Sequence, residues 1–212
     1  MDCCQCEGIE IETRKWAEQD LRLCRKGKPA RTTPMLTAPL LKTGVRGLTL
    51  LDIGGGIGSI QLELLAAGAA RATTVEASTA YIDVAREQAS QAGLMDRIRY
   101  VHGDFAGLAS EVDPADIVTL DRVICCYHDV RSLVALSAAK ARRLYGLVYP
   151  RDRWLVRLVL SFGNMMLRLR KSPFRAFVHP TELVDRIVRE AGLRPVFQQY
   201  TFAWQVVLYE RP

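Results

Sequence analysis

The sequence predicts an α/β fold in which a doubly wound sheet of about seven strands is mostly parallel, with an antiparallel strand at its C-terminal end. Short apolar runs alternate with stretches of helical periodicity along most of the chain. A glycine-rich turn follows the first of these runs, and the last two runs are close enough in sequence to pair as an antiparallel hairpin. Since parallel strands need crossover connections, the alternation indicates parallel pairing with right-handed crossovers.

The elements follow one another in a regular order. A first helix repeats apolar residues from Ile57 and ends at Gly68, while a second is capped by Ser78 and ends at Gly93. Two later helices are predicted at 133–141 and 181–191, the second opened by Pro180 and closed by Gly192. The predicted strands are 48–53, 72–76, 98–102, 115–121, 144–149, 196–202 and 204–210.

We expect one domain over residues 1–212, organised in four segments. Residues 1–46 form a helical cap broken around 26–33, residues 47–150 form the core with the glycine turn, and residues 180–212 form the final helix and hairpin. Residues 151–179 are an insertion with a strongly amphipathic helix at 153–171. That helix is a structural element packed on the sheet, a lid over an apolar ligand, or a helix at a membrane surface.

Composition limits the cellular setting. The start of the chain lacks the basic and apolar regions of a secretory signal, and no apolar run reaches the roughly 18 residues of a membrane span. We therefore expect a cytoplasmic protein without a membrane span, with peripheral membrane contact left open. The net charge is +6, and basic residues cluster at 22–31 and 151–175, which favours either an anionic partner or a solvated positive face.

The cysteines do not form a recognisable disulfide or zinc pattern. They are Cys3, Cys4, Cys6, Cys24, Cys125 and Cys126. Adjacent cysteines pair with strain, and the N-terminal cluster lacks paired C-x-x-C spacing. We expect reduced thiols and no bound metal, with soft-metal or metalloid binding as the alternative.

The turn at 52–58, Asp-Ile-Gly-Gly-Gly-Ile-Gly, lies between a strand and a helix. Glycines let a ligand approach the backbone, and the helix N-terminus offers unpaired N–H groups, so a small anionic or zwitterionic ligand is expected. A nicotinamide fingerprint would place its third glycine where Ser59 stands. A dinucleotide-dependent oxidoreductase is therefore disfavoured.

Residues 51–58 resemble motif I of the class I S-adenosylmethionine-dependent methyltransferases, and the resemblance covers roughly 47–150 and 180–210. It implies a Rossmann-like fold, S-adenosyl-L-methionine as methyl donor and S-adenosyl-L-homocysteine as product. The implied cofactor-binding residues are Asp52, Gly54, Gly55, Gly56, Glu76, Ala77, Asp104, Phe105 and Asp121.

The resemblance assigns separate tasks to the acids of this set. Glu76 would accept hydrogen bonds from the ribose hydroxyls, Asp104 would accept from the adenine amine, and Asp121 would lie near the methionine end. Simpler interpretations stay open: Asp104 caps a turn, Asp52 orients the glycine loop without touching the ligand, and Glu76 is an ordinary exposed acid.

The acceptor side is less well defined. In the loop after the fourth predicted strand, His128 is a candidate general base and Tyr127 a candidate acceptor contact, while a helix-capping role for His128 is the alternative. His102 and His179 are weaker candidates, since one lies in a strand and the other precedes a proline turn. A carboxylate acceptor would need no base, because it is already ionised at neutral pH.

Residues 144–192 resemble the C-terminal half of the magnesium-protoporphyrin O-methyltransferases, in which a porphyrin propionate receives the methyl group. The predicted function is methyl transfer to a small molecule, with oxygen of an apolar or carboxylate-bearing, porphyrin-like acceptor favoured. The alternatives are a metalloid or thiol methyltransferase that uses the cysteines, and a non-catalytic S-adenosylmethionine-binding module. Nucleic acid is not expected as a substrate, because the Asn-Pro-Pro-aromatic and Pro-Cys motifs of base methylation are missing. The oligomeric state stays open.

Overall fold

The structure, a computed structural model, describes residues 4–26 and 30–212, with side chains described for Thr13 and from Trp16 onward. Cys3 lies outside the described residues, as do the side chains of Cys4 and Cys6, so the predictions for the N-terminal cysteine cluster stay predictions.

A seven-stranded sheet forms the centre of the protein, with strand order β3-β2-β1-β4-β5-β7-β6. The strands are β1 Thr49–Ile53, β2 Arg71–Glu76, β3 Ile98–His102, β4 Ala115–Asp121, β5 Ala141–Pro150, β6 Arg194–Tyr200 and β7 Trp204–Glu210. The first five strands pair in parallel, and β7 is antiparallel to both β5 and β6. The predicted fold class, including the C-terminal hairpin, is confirmed.

Eight α-helices accompany these strands in the described part of the chain. They are α1 Cys4–Arg25, α2 Thr32–Lys42, α3 Ser59–Ala66, α4 Thr79–Gln91, α5 Phe105–Leu108, α6 Val130–Lys140, α7 Trp154–Leu169 and α8 Thr181–Glu190. The sequence pattern did not predict α5 or the 3-10 turn Ile124–Cys126, because each spans a single turn and shows no hydrophobic period.

Two apolar layers cover the two faces of the sheet. Leu50 packs into the layer formed with α2 and α3, whereas its neighbour Leu51 packs into the layer formed with α6 and α8. Successive side chains of a strand point to opposite faces, so a strand buried on both sides is apolar throughout. This is why the central strands appear in the sequence as short continuous apolar runs.

The helix α2 lies directly against the backbone of β5. A Cβ atom on Gly146 would come within 2.7 Å of Leu36 Cδ1, so a larger residue at position 146 would force the helix away from the strand. Leu36 and Leu40 of α2 are fully buried at this contact. The second helix of the cap is thus part of the core.

The first helix, α1, is fixed across α4 by two hydrogen bonds. The hydroxyls of Thr13 and Ser78 are 2.6 Å apart in a buried contact, and Tyr81 Oη donates to Asp20 Oδ2 at 2.9 Å. Ser78 is also the N-cap of α4 and accepts from the Tyr81 backbone N–H. Because α4 follows β2, these bonds place α1 over the carboxyl end of the sheet.

The amphipathic insertion contains α7 and an extended segment that returns to the sheet. Asn164 of α7 pairs with the backbone of Ala176 through two hydrogen bonds, of 2.7 and 2.9 Å. The ring of Phe174 meets Trp16 of α1 edge-on, with centroids 5.2 Å apart. Across the described residues, no helix combines the length and apolar character that crossing a membrane requires.

Candidate active site

A cavity of about 530 Å³ lies at the carboxyl ends of β1, β2 and β4, beneath α1. In a doubly wound sheet this edge, where the crossovers diverge to opposite faces, is the usual position of a ligand crevice. The volume lies in the range of small-molecule sites. Its walls come from the glycine turn, the ends of the strands, the cap and the segment after α7.

The structure brings together ten of the eleven predicted site residues. The cavity lining includes Asp52, Gly54, Gly55, Gly56, Glu76, Ala77, Asp104, Phe105, Asp121 and Tyr127. His128 is not among the lining residues. The lining residues that the sequence pattern did not indicate include Trp16, Arg31, Tyr81, Arg122 and Phe174.

The glycine turn allows a close approach of backbone to neighbouring side chains. A Cβ atom at Gly54 would collide with Val123, and Gly54 has a φ of 64°. A Cβ atom at Gly55 would collide with the Thr74 hydroxyl and reach within 3.0 Å of Asp52 Oδ2. These positions therefore require glycine even before a ligand is considered.

Glu76 ends β2 with its carboxylate buried at the cavity; the residue is 7% exposed. Its Oε2 accepts from the Gly56 N–H and its Oε1 from the Ser78 N–H, each at 3.0 Å. Burial raises its pKa above the usual value, and these bonds oppose the rise. An ionised carboxylate has about four acceptor positions, so this group can accept further donors from a ligand.

Asp52, near the carboxyl end of β1, is 1% exposed and has fewer hydrogen-bond partners than Glu76. Its Oδ1 accepts from Thr119 Oγ1 at 2.7 Å, while Oδ2 has no hydrogen-bond partner among the described residues. Burial raises the pKa of Asp52 to about 7, and the carboxylates of Asp121 and Glu76 add to the rise. A buried carboxyl with a free oxygen and a pKa near neutrality is suited to meet a cationic group.

Asp121 is the last residue of β4, and its carboxylate is bonded to the helix α2. Its Oδ2 accepts from Thr33 Oγ1 of α2 at 2.5 Å, and its Oδ1 lies 3.4 Å from Arg122 Nε. Burial raises the pKa of Asp121, and the Arg122 guanidinium opposes that rise. The three acids Asp52, Glu76 and Asp121 thus make one side of the cavity strongly acidic.

Asp104 both caps a helix and faces the cavity. Its Oδ1 accepts from the Ala106 N–H at 3.2 Å at the start of α5, and its Oδ2 accepts from Tyr127 Oη at 2.9 Å. The capping interpretation and the ligand-binding interpretation are therefore compatible. The Tyr127 contact joins the loop after β3 to the loop after β4.

The histidines differ from each other in setting. His128 is exposed, and its ring packs edge-on against Phe177 with centroids 5.6 Å apart. His179 is half-buried, and its Nε2 lies 2.9 Å from the Tyr127 carbonyl oxygen and 3.1 Å from that of Ile124. Burial lowers the pKa of His179, so it is neutral at pH 7 with Nε2–H donating. His179 therefore fixes the backbone that carries Tyr127, while the catalytic roles of His128 and Tyr127 stay predictions.

Two adjacent thiols, Cys125 and Cys126, lie in the loop that follows β4. The Sγ atoms of Cys125 and Cys126 are 3.7 Å apart, and Cys126 lines the cavity. The contact with Cys126 and burial raise the pKa of the Cys125 thiol. No group of three or more potential metal ligands occurs in the ranges that the structure describes.

A family model described as a methyltransferase domain matches residues 50–144, which carry the glycine turn and all the predicted cofactor-binding residues. No curated protein sequence matches the chain.

Several solved structures are similar to this chain over most of its length. Magnesium protoporphyrin IX methyltransferase from Synechocystis PCC 6803, crystallised with bound S-adenosylhomocysteine, has a TM-score of 0.71 at 19% identity over 86% of this chain and 83% of that chain. A putative sarcosine dimethylglycine methyltransferase from Galdieria sulphuraria has a TM-score of 0.68 at 16% identity over 88% and 87%. An O-methyltransferase family 2 protein from Planctomyces limnophilus, in complex with apigenin, has a TM-score of 0.68 at 19% identity over 95% and 62%.

At such identities the likeness to these structures establishes the fold. Residues 50–144 thus match a methyltransferase domain, and they lie in a fold that this chain shares with solved methyltransferase structures.

Proposed function

We propose that the protein transfers the methyl group of S-adenosylmethionine to an oxygen atom of an apolar, carboxylate-bearing small molecule. The observation that carries the proposal is that one cavity is lined by a glycine turn with three acids, by apolar residues and by two arginines. Donor and acceptor must be aligned in one water-poor site for an in-line displacement.

The acidic side fits the donor. When bound, S-adenosylmethionine supplies an electrophilic methyl group on a sulfonium. In this proposal the Glu76 carboxylate, which lies beside Gly56, accepts from the ribose hydroxyls, and Asp104 in the cavity lining accepts from an amine on the base. The unpartnered Oδ2 of Asp52 is available to a cationic part of the donor.

The rest of the lining fits an apolar acid. Trp16, Leu23 and Phe174 contribute apolar surface, Arg31 contributes positive charge, and Arg122, beside Asp121, contributes a second guanidinium. A guanidinium binds a carboxylate through two parallel hydrogen bonds, which orients the acceptor as well as holding it. The structural neighbours named for magnesium protoporphyrin IX and complexed with apigenin support a large aromatic acceptor, and a porphyrin-like acid is the form we favour.

Whether methyl transfer needs a general base depends on the acceptor group. A carboxylate presents an ionised oxygen at neutral pH and needs no general base. The exposed position of His128, outside the cavity lining, is consistent with such an acceptor.

Replacing Glu76 by glutamine is expected to weaken donor binding. The Glu76→Gln variant loses a charged acceptor, which corresponds to a roughly tenfold or greater rise in the dissociation constant for S-adenosylhomocysteine. Titration calorimetry measures it, with Glu63→Gln on the exposed surface of α3 as the matched control. Parent-like affinity in a Glu76→Gln protein that unfolds at the parent temperature would disprove this assignment.

The raised pKa of Asp52 predicts two effects of pH, one on the stability of the ligand-free protein and one on its affinity for the methyl donor. The stability of the ligand-free protein falls as pH rises from the unfolded pKa to about 7, because the unfolded chain loses the Asp52 proton in that window while the buried native carboxyl keeps it. Asp52→Asn removes this loss and so gains stability over the parent as pH rises through the window. S-adenosylmethionine, which has one more positive charge than S-adenosylhomocysteine, binds the parent more tightly at about pH 8 than at about pH 6.

Thermal unfolding and calorimetry at both pH values check these effects separately. The affinity of Asp52→Asn for S-adenosylmethionine should depend less on pH than that of the parent, and in the parent the affinity for S-adenosylhomocysteine should depend less on pH than the affinity for S-adenosylmethionine. If both ligands vary with pH equally in the parent and the variant, Asp52 does not face the sulfonium.

The acceptor class can be read from the chemistry of the product. With a radiolabelled methyl donor and a panel of aromatic acids and phenols, we expect label in acids that mild alkali releases as methanol, because methyl esters hydrolyse and methyl ethers do not. Arg31→Gln and Arg122→Gln should each raise KM for the acid by about tenfold or more. Arg99→Gln, exposed on β3, serves as the control.

The same assay examines His128. A carboxylate acceptor predicts that His128→Ala retains the parental kcat and pH profile, whereas a phenol acceptor with His128 as base predicts a fall in kcat. Alkali-stable label would contradict ester formation. Tight donor binding with no transfer to any acceptor would favour a non-catalytic binding module.

A second candidate is methyl transfer to a metalloid or thiol acceptor, which the neighbouring sulfur atoms of Cys125 and Cys126 support. Thiolates bind soft acceptors well, and Cys126 faces the cavity. The double variant Cys125→Ser/Cys126→Ser should abolish methylation of arsenite if this function is correct. Cys24→Ser, at a partly buried position on α1, is the matched control, and arsenite methylation that survives the double change would eliminate the pair from the mechanism.

A further inference from the structure

The helix α7 turns its apolar residues away from the protein. Trp154, Leu158, Phe162, Met165 and Leu169 recur at the spacing of one helical face and are all exposed, with Trp154 at 73% and Leu169 at 71%. Val159 and Met166 extend this exposed stripe on one side.

The opposite face of α7 is the one that packs. Val156 is 6% exposed, Leu160 and Leu167 are partly buried, and Asn164 is bonded to the backbone of Ala176. The helix is therefore held on the protein through one side while the broader apolar side meets solvent. Of the three interpretations of this segment, neither a lid closed over the cavity nor a helix packed by its apolar stripe describes this arrangement.

Aromatic residues of the C-terminal hairpin adjoin the start of α7. Tyr200 and Phe202 are exposed, and the guanidinium groups of Arg151 and Arg153 lie over their rings at 4.8 and 5.3 Å. The Arg151 N–H also donates to the Ala203 carbonyl at 2.8 Å. The exposed stripe and the hairpin tip are thus neighbours, and we call them together the α7 face.

The charged residues of α7 and of the segment that follows it are all cations. Residues 153–181 contain six cations and no acidic residue. The cations are Arg153, Arg157, Arg168, Arg170, Lys171 and Arg175. Asp152, just before this stretch, pairs with Arg157 at 2.6 Å. An apolar stripe flanked by cations and containing tryptophan is the composition of a helix that lies in the plane of an anionic membrane surface.

We propose that the α7 face binds the surface of an anionic lipid bilayer. The apolar stripe enters the boundary between headgroups and acyl chains, and the flanking arginines and lysine contact lipid phosphates. The helix spans about 24 Å at 1.5 Å per residue and lies parallel to the bilayer rather than across it. Phe174, shortly after α7, lines the cavity, so the bound bilayer lies close to the site of the acceptor.

Vesicle sedimentation with the full chain tests this inference without reference to methyl transfer. The protein should sediment with vesicles of phosphatidylcholine that contain phosphatidylglycerol, and much less with phosphatidylcholine alone. Added salt should reduce binding, because it screens the lipid phosphates. Sedimentation with neither vesicle, or to the same extent with both at every salt concentration, would overturn the proposal.

Charge placed in the apolar stripe should weaken the binding to vesicles. Leu158→Glu and Phe162→Glu change exposed side chains, and each should lower the vesicle affinity roughly tenfold or more while the unfolding temperature stays at the parent value. Leu136→Glu makes the same change at an exposed leucine of α6 and should bind as the parent does. Replacing Arg168, Arg170 and Lys171 together by glutamine should remove the preference for phosphatidylglycerol.

A second copy of the chain is the competing occupant of this face. Sedimentation velocity in the absence of lipid distinguishes the two. A monomer that binds vesicles supports the proposal, whereas a dimer that Phe162→Glu dissociates, with no vesicle binding, would show that the face joins two copies. Calorimetry with S-adenosylhomocysteine on the same variants keeps the lipid result separate from the donor site.

Discussion

Three carboxylates at the ends of adjacent parallel strands, two of them buried and the third partly buried, organise the cavity of this protein. Asp52, Glu76 and Asp121 are brought together because β2, β1 and β4 run side by side in one direction. Burial of like charges is costly, and each group is stabilised by donors from its surroundings: the Thr119 hydroxyl, backbone N–H groups and the Thr33 hydroxyl. The remaining acceptor capacity is what a cationic methyl donor with free hydroxyls and amines can satisfy.

The cap depends on the same arrangement. Thr33 of α2 bonds to Asp121, and Thr13 of α1 bonds to Ser78, two residues after Glu76. These polar contacts couple the closure of the cavity to the strand ends that form its floor. The Trp16–Phe174 contact then joins the cap to the insertion, so the apolar wall is assembled from two segments far apart in sequence.

One face of α7 packs on the protein and the other is exposed to solvent. One face of α7 holds the return segment through Asn164, and the other remains exposed with its cations around it. The proposed methyl donor is water-soluble and the proposed acceptor is apolar, so the proposed contact with lipid would let the two substrates arrive from different phases. The residues proposed to bind the donor lie at the ends of the sheet strands, whereas the exposed apolar face lies on the insertion.

Sequence alone sufficed to predict the order of the seven strands and of the longer helices, the position of the glycine turn, and the acids at the carboxyl ends of β1, β2 and β4. Those features depend on local periodicity and on glycine conformations, which one segment of chain specifies alone. Tertiary structure decided which of them meet. It placed Tyr127 on Asp104 and left His128 exposed, although the two are adjacent in sequence, because the 3-10 turn at Ile124–Cys126 and its contact with His179 fix the direction of that loop. It also brought Trp16, Arg31 and Phe174, which belong to no motif, into the lining of the cavity. Such a lining depends on how distant segments pack and not on the spacing of residues in the chain.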